Sequence, residues 1–417
     1  MLTKHLLFIL LILLSFSTLS AEMMPSGFFQ TLWGASLESL NPAASEYTAL
    51  ETRLQLRLEH LGEIGEFFGR IDFLHDSYLN SSGRVDLREG YAKFPIGDKL
   101  DFKIGRQIIT WGTGDLLFIN DVFAKDYLSF FIGRDDQYLK APQNSLKADF
   151  YNSKFNLTFV WTPKFTPNDF PIGQRLSFYS SQDNAIVGNL GELNFLRPEP
   201  TLKNSEIAFR LSKQIGNFSN CFYFYEGFYK NPVGAVIIDS ALVPTFPKLR
   251  VMGGSIRGMI SGGIFWFEGG YYDTRDENRG QNPLLINSST RFMTGYEKQI
   301  LSGLTMNLQY FANIMSDYDS YRQQAEARGG YVREKRRDLI TSRISRLFYS
   351  DLVEFLSVIF YSPSEKDYYL RFYLSYSYSD ELNLSSGGNI FGGDKIGSEF
   401  GQFGLNDNLY VKLTYGF

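Results

Sequence analysis

The chain has 417 residues, of which 44% are hydrophobic and 16% aromatic, with a formal net charge of -4. A weakly acidic chain argues against nucleic-acid binding, and its single cysteine, Cys221, excludes an internal disulfide. A mean hydropathy of -0.18, without long apolar runs beyond the N-terminal segment, argues against a helical membrane protein. Three histidines leave little for metal binding or acid–base chemistry, so we expect neither a cofactor nor a metal.

Residues 1–21 have the pattern of a secretory signal peptide. Lys4 precedes an apolar run from Leu6 to Phe16, and small and polar residues follow up to Ala21. Because the run is shorter than the ~20 residues that span a bilayer, the pattern predicts a cleaved signal rather than a membrane anchor. The mature chain is then 22–417, exported through the inner membrane.

The mature chain shows the two-residue alternation of β-strands throughout. Short turns at one end and long loops at the other are typical of outer-membrane barrels. The long connections are predicted at 110–143, 164–202, 230–248 and 316–335, and the tight ones carry turn residues such as Gly216-Asn217. We predict an all-β, antiparallel transmembrane barrel of about 18 strands, with sixteen as the alternative because 144–151 is short for a crossing strand. The predicted strands are 28–37, 47–60, 64–76, 84–94, 99–109, 144–151, 154–163, 203–213, 218–229, 249–260, 263–273, 289–299, 304–315, 336–349, 352–362, 367–379, 381–391 and 409–417.

The alternation also predicts which side chains face the lumen. A charge on the lipid face near the middle of the bilayer costs ~2–4 kcal/mol, so the charged set of each strand should face a wet interior. Two interpretations of these charges stay open: ion pairs that make the barrel rigid, and a transverse field that selects solutes by charge. The predicted solute-guiding residues are Arg53, Arg57, Arg70, Asp72, Arg88, Asp101, Lys103, Glu206, Arg210 and Arg371.

One strand departs from strict alternation. Glu89 shares the parity of the apolar Val85 and Leu87, so that a regular strand would turn this carboxylate towards lipid. The pattern therefore predicts a β-bulge or a strand end beside Glu89.

The loop 110–143 is predicted to fold into the pore as a constriction. Its apolar stretches 116–119 and 128–132 favour burial, although an ordinary extracellular loop is the alternative. The second long loop, 164–202, is rich in proline and is predicted to form an irregular extracellular cap over the mouth. The residues predicted for the constriction are Trp111, Asp115, Asp121, Lys125, Asp126, Arg134, Asp135 and Asp136.

The last segment, 409–417, has one apolar and one polar face and ends on Phe417. It resembles the C-terminal strand of bacterial outer-membrane barrels. In that family the terminal aromatic strand is the element read by the barrel-assembly machinery. The resemblance implies this role for Tyr415 and Phe417.

A second resemblance rests on residues 84–123. Arg88-Glu89-Gly-Tyr91 on one strand, then Gly105-Arg-Gln and Trp111-Gly112, are similar to outer-membrane channels of the alginate-export-type group, in particular an uncharacterised branch. That group implies monomeric barrels of sixteen or eighteen strands, some with strongly basic lumens for polyanionic polysaccharide. The inward residues here mix Arg with Asp and Glu, which argues against alginate itself as the solute.

These patterns predict a channel of the bacterial outer membrane for hydrophilic or amphipathic solutes. The expected partners are outer-membrane lipids, the assembly machinery and a small solute, but not nucleic acid. Three alternatives are a barrel within a larger lipid or electron conduit with a periplasmic partner, a structural or adhesive barrel plugged by its loops, and an enzyme. The enzyme is disfavoured because His60 and His75 are predicted at opposite ends of neighbouring strands, and neither adjoins a nucleophile motif.

Overall fold

A computed structural model describes residues 25–43, 46–79, 83–180, 183–188, 195–329 and 331–417. Eighteen antiparallel strands form one sheet, which closes because β1 (Ser26–Ser36) pairs with the last strand, β22 (Asn408–Gly416). Every strand therefore has two neighbours, and the barrel has no open edge. The predicted signal peptide, 1–21, lies outside the described residues.

All eighteen predicted segments form barrel strands, so the predicted count is confirmed and the alternative of sixteen is wrong. The short segment that raised the alternative is β6, which pairs with a neighbour on both edges. The other barrel strands are β2 (Tyr47–Leu61), β3 (Glu66–Asp76), β4 (Arg84–Ile96), β5 (Leu100–Gln107), β6 (Gln143–Tyr151), β7 (Asn156–Thr162), β10 (Glu206–Ile215), β11 (Phe218–Phe228), β14 (Lys248–Ile260), β15 (Gly263–Thr274), β16 (Ser289–Leu301), β17 (Leu304–Met315), β18 (Arg336–Phe348), β19 (Val353–Ser362), β20 (Asp367–Ser377) and β21 (Leu382–Gly393).

The connections are segregated by length, as predicted. Turns at one end are as short as two residues, and Gly216, Gly262 and Gly303 adopt the positive φ that such turns need. The opposite end carries the long loops, apart from the tight connection 363–366. We refer to these as the short-turn end and the long-loop end.

The long loops contain the remaining elements. Two hairpins form there, β8 (Phe178–Ser180) with β9 (Ala185–Val187) and β12 (Gly234–Ile238) with β13 (Ala241–Thr245). The described helices are Tyr127–Phe131 and Tyr318–Arg328, with 3-10 turns at Ser77–Leu79, Asp136–Tyr138, Leu202–Asn204 and Gly401–Phe403. Within the described ranges, no helix is both long and apolar enough to cross a membrane.

Exposure follows the predicted alternation. On β22, Leu409, Val411, Leu413 and Tyr415 are exposed on the outer face, whereas Tyr410 between them is buried against the interior. An outer wall of exposed apolar side chains around a closed barrel is the arrangement that a bilayer requires. The interior, by contrast, holds charged side chains together with two buried apolar clusters.

Candidate solute pathway in the barrel lumen

The connection from β5 to β6, residues 108–142, crosses the interior of the barrel, and we call it the strap. Near its start, Gln309 on β17 donates through Nε2 to the carbonyl oxygen of Asp115 at 2.7 Å. Near its end, Asp135 accepts a hydrogen bond from Gln30 on β1 at 2.9 Å. The strap thus lies among the strands rather than above them. That it sets the width of a pathway stays a prediction.

Two buried apolar clusters hold the strap on different parts of the wall. In the first, Phe131 packs edge-on against Tyr369 of β20, with ring centroids 5.4 Å apart, and also contacts Phe391 and Phe403. In the second, Trp111 packs against Phe123 of the strap and Tyr223 of β11. Full burial of each such side chain contributes ~1.5–3 kcal/mol, so the strap is packed as a core rather than resting loosely in water.

Glu268 of β15 anchors residues 108–123, which we call the first limb of the strap. This fully buried carboxylate accepts from the backbone N–H and the hydroxyl of Thr113 at 2.6 and 2.8 Å. It also accepts from the backbone N–H and the side-chain amide of Asn120 at 2.7 and 3.0 Å. Gly112 lies beside it with a φ of +80°, and a Cβ there would come within 2.9 Å of the Glu268 carboxylate. In the Trp111-Gly112 motif, a glycine is thus required because the strap backbone approaches the barrel wall closely at this position.

Successive residues of the second limb of the strap, 133–142, bind different strands. Arg134 donates through Nε to Glu51 of β2 at 2.8 Å. Asp135 pairs with Lys412 of β22, and Asp136 pairs with Arg371 of β20 at 2.5 Å. Three neighbouring strap residues therefore tie together strands from both sides of the barrel closure.

Tyr138 completes the second limb. Its ring lies between the guanidinium groups of Arg53 and Arg88, 4.1 and 4.2 Å from the ring centroid. Its hydroxyl donates to Asp72 at 3.0 Å and accepts from Gln55 at 2.9 Å. Cation–π contacts are strongest where water is excluded, and Tyr138 is buried.

Several residues predicted for the constriction instead bind within the strap. Asp121 pairs with Lys125 at 3.0 Å and with Lys140 at 2.5 Å, and Lys125 is only 2% exposed. Burial lowers the pKa of Lys125 to about 8, although the Asp121 carboxylate favours the charged form. Asp126 caps the helix Tyr127–Phe131 by accepting from the Ser129 N–H at 2.7 Å.

A cavity of about 280 Å³ lies between the strap and the wall formed by β18 to β20. Of the predicted constriction residues, Asp115 and Asp136 line it. They pair with Arg343 at 3.0 Å and with Arg371, so one part of the lining is charged. The other part is apolar, which gives the cavity an amphipathic lining. Its residues are Gly114, Asp115, Leu116, Phe118, Asp136, Leu139, Lys140, Arg343, Leu356, Val358 and Arg371.

A second cavity, of about 540 Å³, lies at the short-turn end. Arg57 and Arg70 line it together with Phe417 and the turn residue Glu381. Gln137 of the strap also lines it, whereas its neighbour Asp136 lines the first cavity. The strap therefore separates the two cavities at residues 136 and 137.

The predicted lumen residues face inward, and many are paired. Arg53 contacts Asp72 on the neighbouring strand at 2.5 Å instead of facing it across the lumen, and Arg70 lies 3.4 Å from Glu89. The other contacts are Arg57 with Glu59, Asp101 with Lys93, Lys103 with the Tyr91 ring, Glu206 with Lys230, and Arg210 with Thr158. These contacts fit the interpretation as structural pairs, whereas guidance of solutes stays a prediction.

Sequence reasoning missed Glu51, Glu268, Arg343 and Tyr138. Strand parity could have found Glu51 and Arg343, which lie on the same faces as Arg53 and Thr341. For Glu268 the signal is masked, because β15 has aromatic residues on both faces: Trp266 is buried inside and Phe267 exposed outside. No signal of this kind exists for Tyr138 in a loop.

The predicted cap, 164–202, contacts the strap where it is described. Asn168 accepts from the backbone N–H of Lys125 at 2.7 Å, and Asp169 donates its N–H to the Lys125 carbonyl at 2.8 Å. Arg175 pairs with Asp76 at the top of β3. Burial raises the pKa of Asp169 to about 6, and the nearby Asp126 carboxylate adds to the effect.

The two histidines among the described residues, His60 and His75, lie apart. His60 pairs in register with Phe67 near the short-turn end, and His75 pairs with Thr52 towards the long-loop end. The Ser77 hydroxyl lies 3.2 Å from His75 Nε2, but both side chains are exposed and only two residues apart. A hydrolytic site also needs a group that orients the imidazole, and Asp76 between them is turned to Arg175.

No protein-family model matches the chain, and no curated protein matches its sequence. Solved structures match its fold. It is similar to OccK3 (OpdO) of Pseudomonas aeruginosa, with a TM-score of 0.57 and 8% identity over 95% of this chain and 96% of that chain. It is also similar to OccAB4 of Acinetobacter baumannii (TM-score 0.56, 9% identity, 95% and 98%) and to P. aeruginosa OccK5 (OpdH) (0.54, 9%, 95% and 98%). The fold is that of outer-membrane porins, and the finer resemblance to alginate-export channels finds no support among these structures.

Proposed function

We propose that the chain is an outer-membrane channel for small hydrophilic or amphipathic solutes, with the strap setting the width of its pathway. The observation that carries the proposal is the cavity between the strap and β18 to β20, where charged pairs and apolar side chains share one lining. A barrel without such a strap would enclose a far wider bore at eighteen strands.

The chemistry of the cavity supports the solute class. The Asp115–Arg343 and Asp136–Arg371 pairs offer both donors and acceptors to a polar group. Leu116, Leu139 and Val358 offer contact to an apolar group on the same solute. Lumen charges of both signs let a hydrated solute exchange water for side-chain contacts in steps.

The test is conductance of the purified protein in a planar bilayer, with the reversal potential measured under a salt gradient. We expect steady open-channel current, and larger current after deletion of residues 116–132. As a matched control, deletion of 235–244 removes the β12–β13 hairpin from a different loop between the paired residues Gly234 and Thr245. This control should leave the conductance unchanged. An unaltered current after removal of 116–132 would refute the role of the strap.

The second candidate is a barrel plugged by its strap, with a structural or adhesive role. The observation that favours it is the depth of burial of Phe130, Phe131 and Ile132 within the lumen. The same bilayer experiment separates the two, because a plugged barrel gives no current until 116–132 is removed.

A further inference from the structure

The strand β4 contains a bulge at the position where its sequence departs from alternation. In the pairing with β3, Arg70 lies opposite Glu89 while Ile71 lies opposite Leu87, so Arg88 is the extra residue. Both Arg88 and Glu89 consequently face the interior, where they are 6% and 7% exposed. The predicted bulge is confirmed, and it places two adjacent charged residues on one face.

Glu89 binds the start of the strap. Its carboxylate accepts a hydrogen bond at 3.1 Å from the backbone N–H of Ile108, the first residue after β5. Arg70 lies 3.4 Å from the same carboxylate and balances its charge. The N–H that leaves the sheet at this point is thereby satisfied within the barrel.

Arg88 binds the end of the strap, some thirty residues further along the chain. Its Nη2 donates to the carbonyl oxygens of Gln137 and, at 3.0 Å, of Lys140. Its guanidinium also lies over the ring of Tyr138. The Gln137 carbonyl lies within the 3-10 turn Asp136–Tyr138 and the Lys140 carbonyl follows it, so Arg88 is bound to the part of the strap that separates the two cavities.

Two residues of the neighbouring strand, β5, contact β4 on either side of the bulge. Arg106 donates through Nε at 2.6 Å to the Leu87 carbonyl, immediately before the extra residue. Gly105 has a φ of +130°, and a Cβ there would lie 2.3 Å from the Gly90 carbonyl oxygen. The two motifs Arg88-Glu89-Gly and Gly105-Arg therefore belong to one local structure, which β4 and β5 form together.

We propose that Arg88 and Glu89 are positioning residues that fix both ends of the strap from one bulge. They thereby place Asp136 and Lys140 in the lining of the first cavity. This inference rests on the proposed function, since it concerns the segment that sets the width of the pathway. The inference assigns Arg88 and Glu89 a role inside the lumen rather than in the strand pairing that closes the barrel.

The test compares Arg88→Met, Arg88→Lys and Glu89→Ala with the control Arg84→Met. Arg84 lies on the same strand, is well exposed and pairs only weakly with Asp86, at 3.9 Å. Folded barrels are first selected by their resistance to unfolding in unheated detergent gels. Hydrogen–deuterium exchange of peptides from the strap and from the strands is then followed, together with single-channel current.

We expect Arg88→Met to speed exchange in 133–142 by about tenfold or more, because two hydrogen bonds from a charged donor are lost. Arg88→Lys should restore part of the protection, and Glu89→Ala should expose 108–115 instead. Strand peptides and Arg84→Met should match the natural protein. Current fluctuations should grow in the two disruptive variants.

Unchanged exchange at 133–142 in Arg88→Met would overturn the inference, even if deletion of 116–132 enlarges the conductance as proposed. Failure of that deletion to change the current would instead overturn the constriction itself, and this inference with it. Should Arg88→Met give no folded barrel, Glu89→Ala decides the matter by the exchange of 108–115: faster exchange supports the inference, and natural rates overturn it.

Discussion

Replacement of Glu268 by Gln tests whether the first limb of the strap depends on one buried carboxylate. The natural side chain accepts four hydrogen bonds, two from Thr113 and two from Asn120. Glutamine keeps one oxygen and turns an N–H2 group towards donors that it cannot satisfy. The change is nearly isosteric, so that packing of the barrel wall is preserved.

The free energy lost in Glu268→Gln determines what the experiment should detect. A hydrogen bond to a charged group contributes ~1.5–3 kcal/mol, so loss of two acceptor contacts costs about 3–6 kcal/mol. The cluster around Trp111, Ile119 and Phe123 contributes ~1.5–3 kcal/mol for each buried side chain and keeps the limb seated for most of the time. At one factor of ten per ~1.4 kcal/mol, the undocked population rises by about 10²–10⁴. We therefore expect larger open-channel current fluctuations, with little change in mean conductance.

The assay is the variance of single-channel current at fixed voltage for Glu268→Gln and for the control Glu297→Gln. Glu297 faces the lumen from the adjacent β16 and binds Asn307 rather than the strap. Resistance of both variants to unfolding in unheated detergent gels would show that both barrels are folded. A Glu268→Gln trace as quiet as the control would refute the anchoring role of this carboxylate.

Three further changes test other contacts of the strap and the cap. Gly112→Ala places a Cβ 2.9 Å from the Glu268 carboxylate at a φ of +80°, so a loss of about 1–3 kcal/mol should raise the current fluctuations less than Glu268→Gln does. Phe131→Ala should cost about 3–5 kcal/mol and lower the thermal unfolding temperature, because the ring is buried in the first cluster. Burial, and then Asp126, raises the pKa of Asp169 from 3.8 to about 6, so the folded protein holds this proton more tightly, and stability falls as the pH rises across that window. Asp169→Asn should therefore unfold at a higher temperature than the natural protein at pH 7 but not at pH 4, and equal temperatures at pH 7 would contradict the shift.

The sequence predicted the barrel well because the outer face of each strand contacts lipid, and charged side chains are therefore confined to the inner face. A charged side chain such as Arg53 can only face inward if Leu54 faces the bilayer, and this choice fixes the whole strand. The same rule predicted the bulge beside Glu89, since a regular strand would have exposed its carboxylate to lipid. Alternation thus predicts side-chain orientation best at positions where a charged side chain facing lipid would cost the most free energy.

The alternation of inward and outward residues along a strand carries no information about the strap, because the strap is not a β-strand and its sequence has no such periodicity. Tyr138 meets Arg53 and Arg88 only because the strap returns across the lumen. The sequence predicts Asp121 and Lys125 as constriction residues, but the fold pairs them with each other in a position shielded from water. Composition reveals a charge, whereas its burial depends on contacts between segments far apart in sequence.

The two interpretations of the lumen charges, pairing and guidance, describe the same groups in the first cavity. The cations Arg343 and Arg371 come from the wall, and their partners Asp115 and Asp136 come from the strap. A guanidinium has five donors, and Arg343 reaches Asp115 through Nη1. Under the proposed function, an acceptor group on a passing solute can therefore bind a second donor before the strap carboxylate is displaced. Such stepwise exchange avoids a buried unpaired charge, which is the costly intermediate in a narrow site. Under the proposed function, pairs that hold the strap in place would thus also lower the barrier to passage beside it.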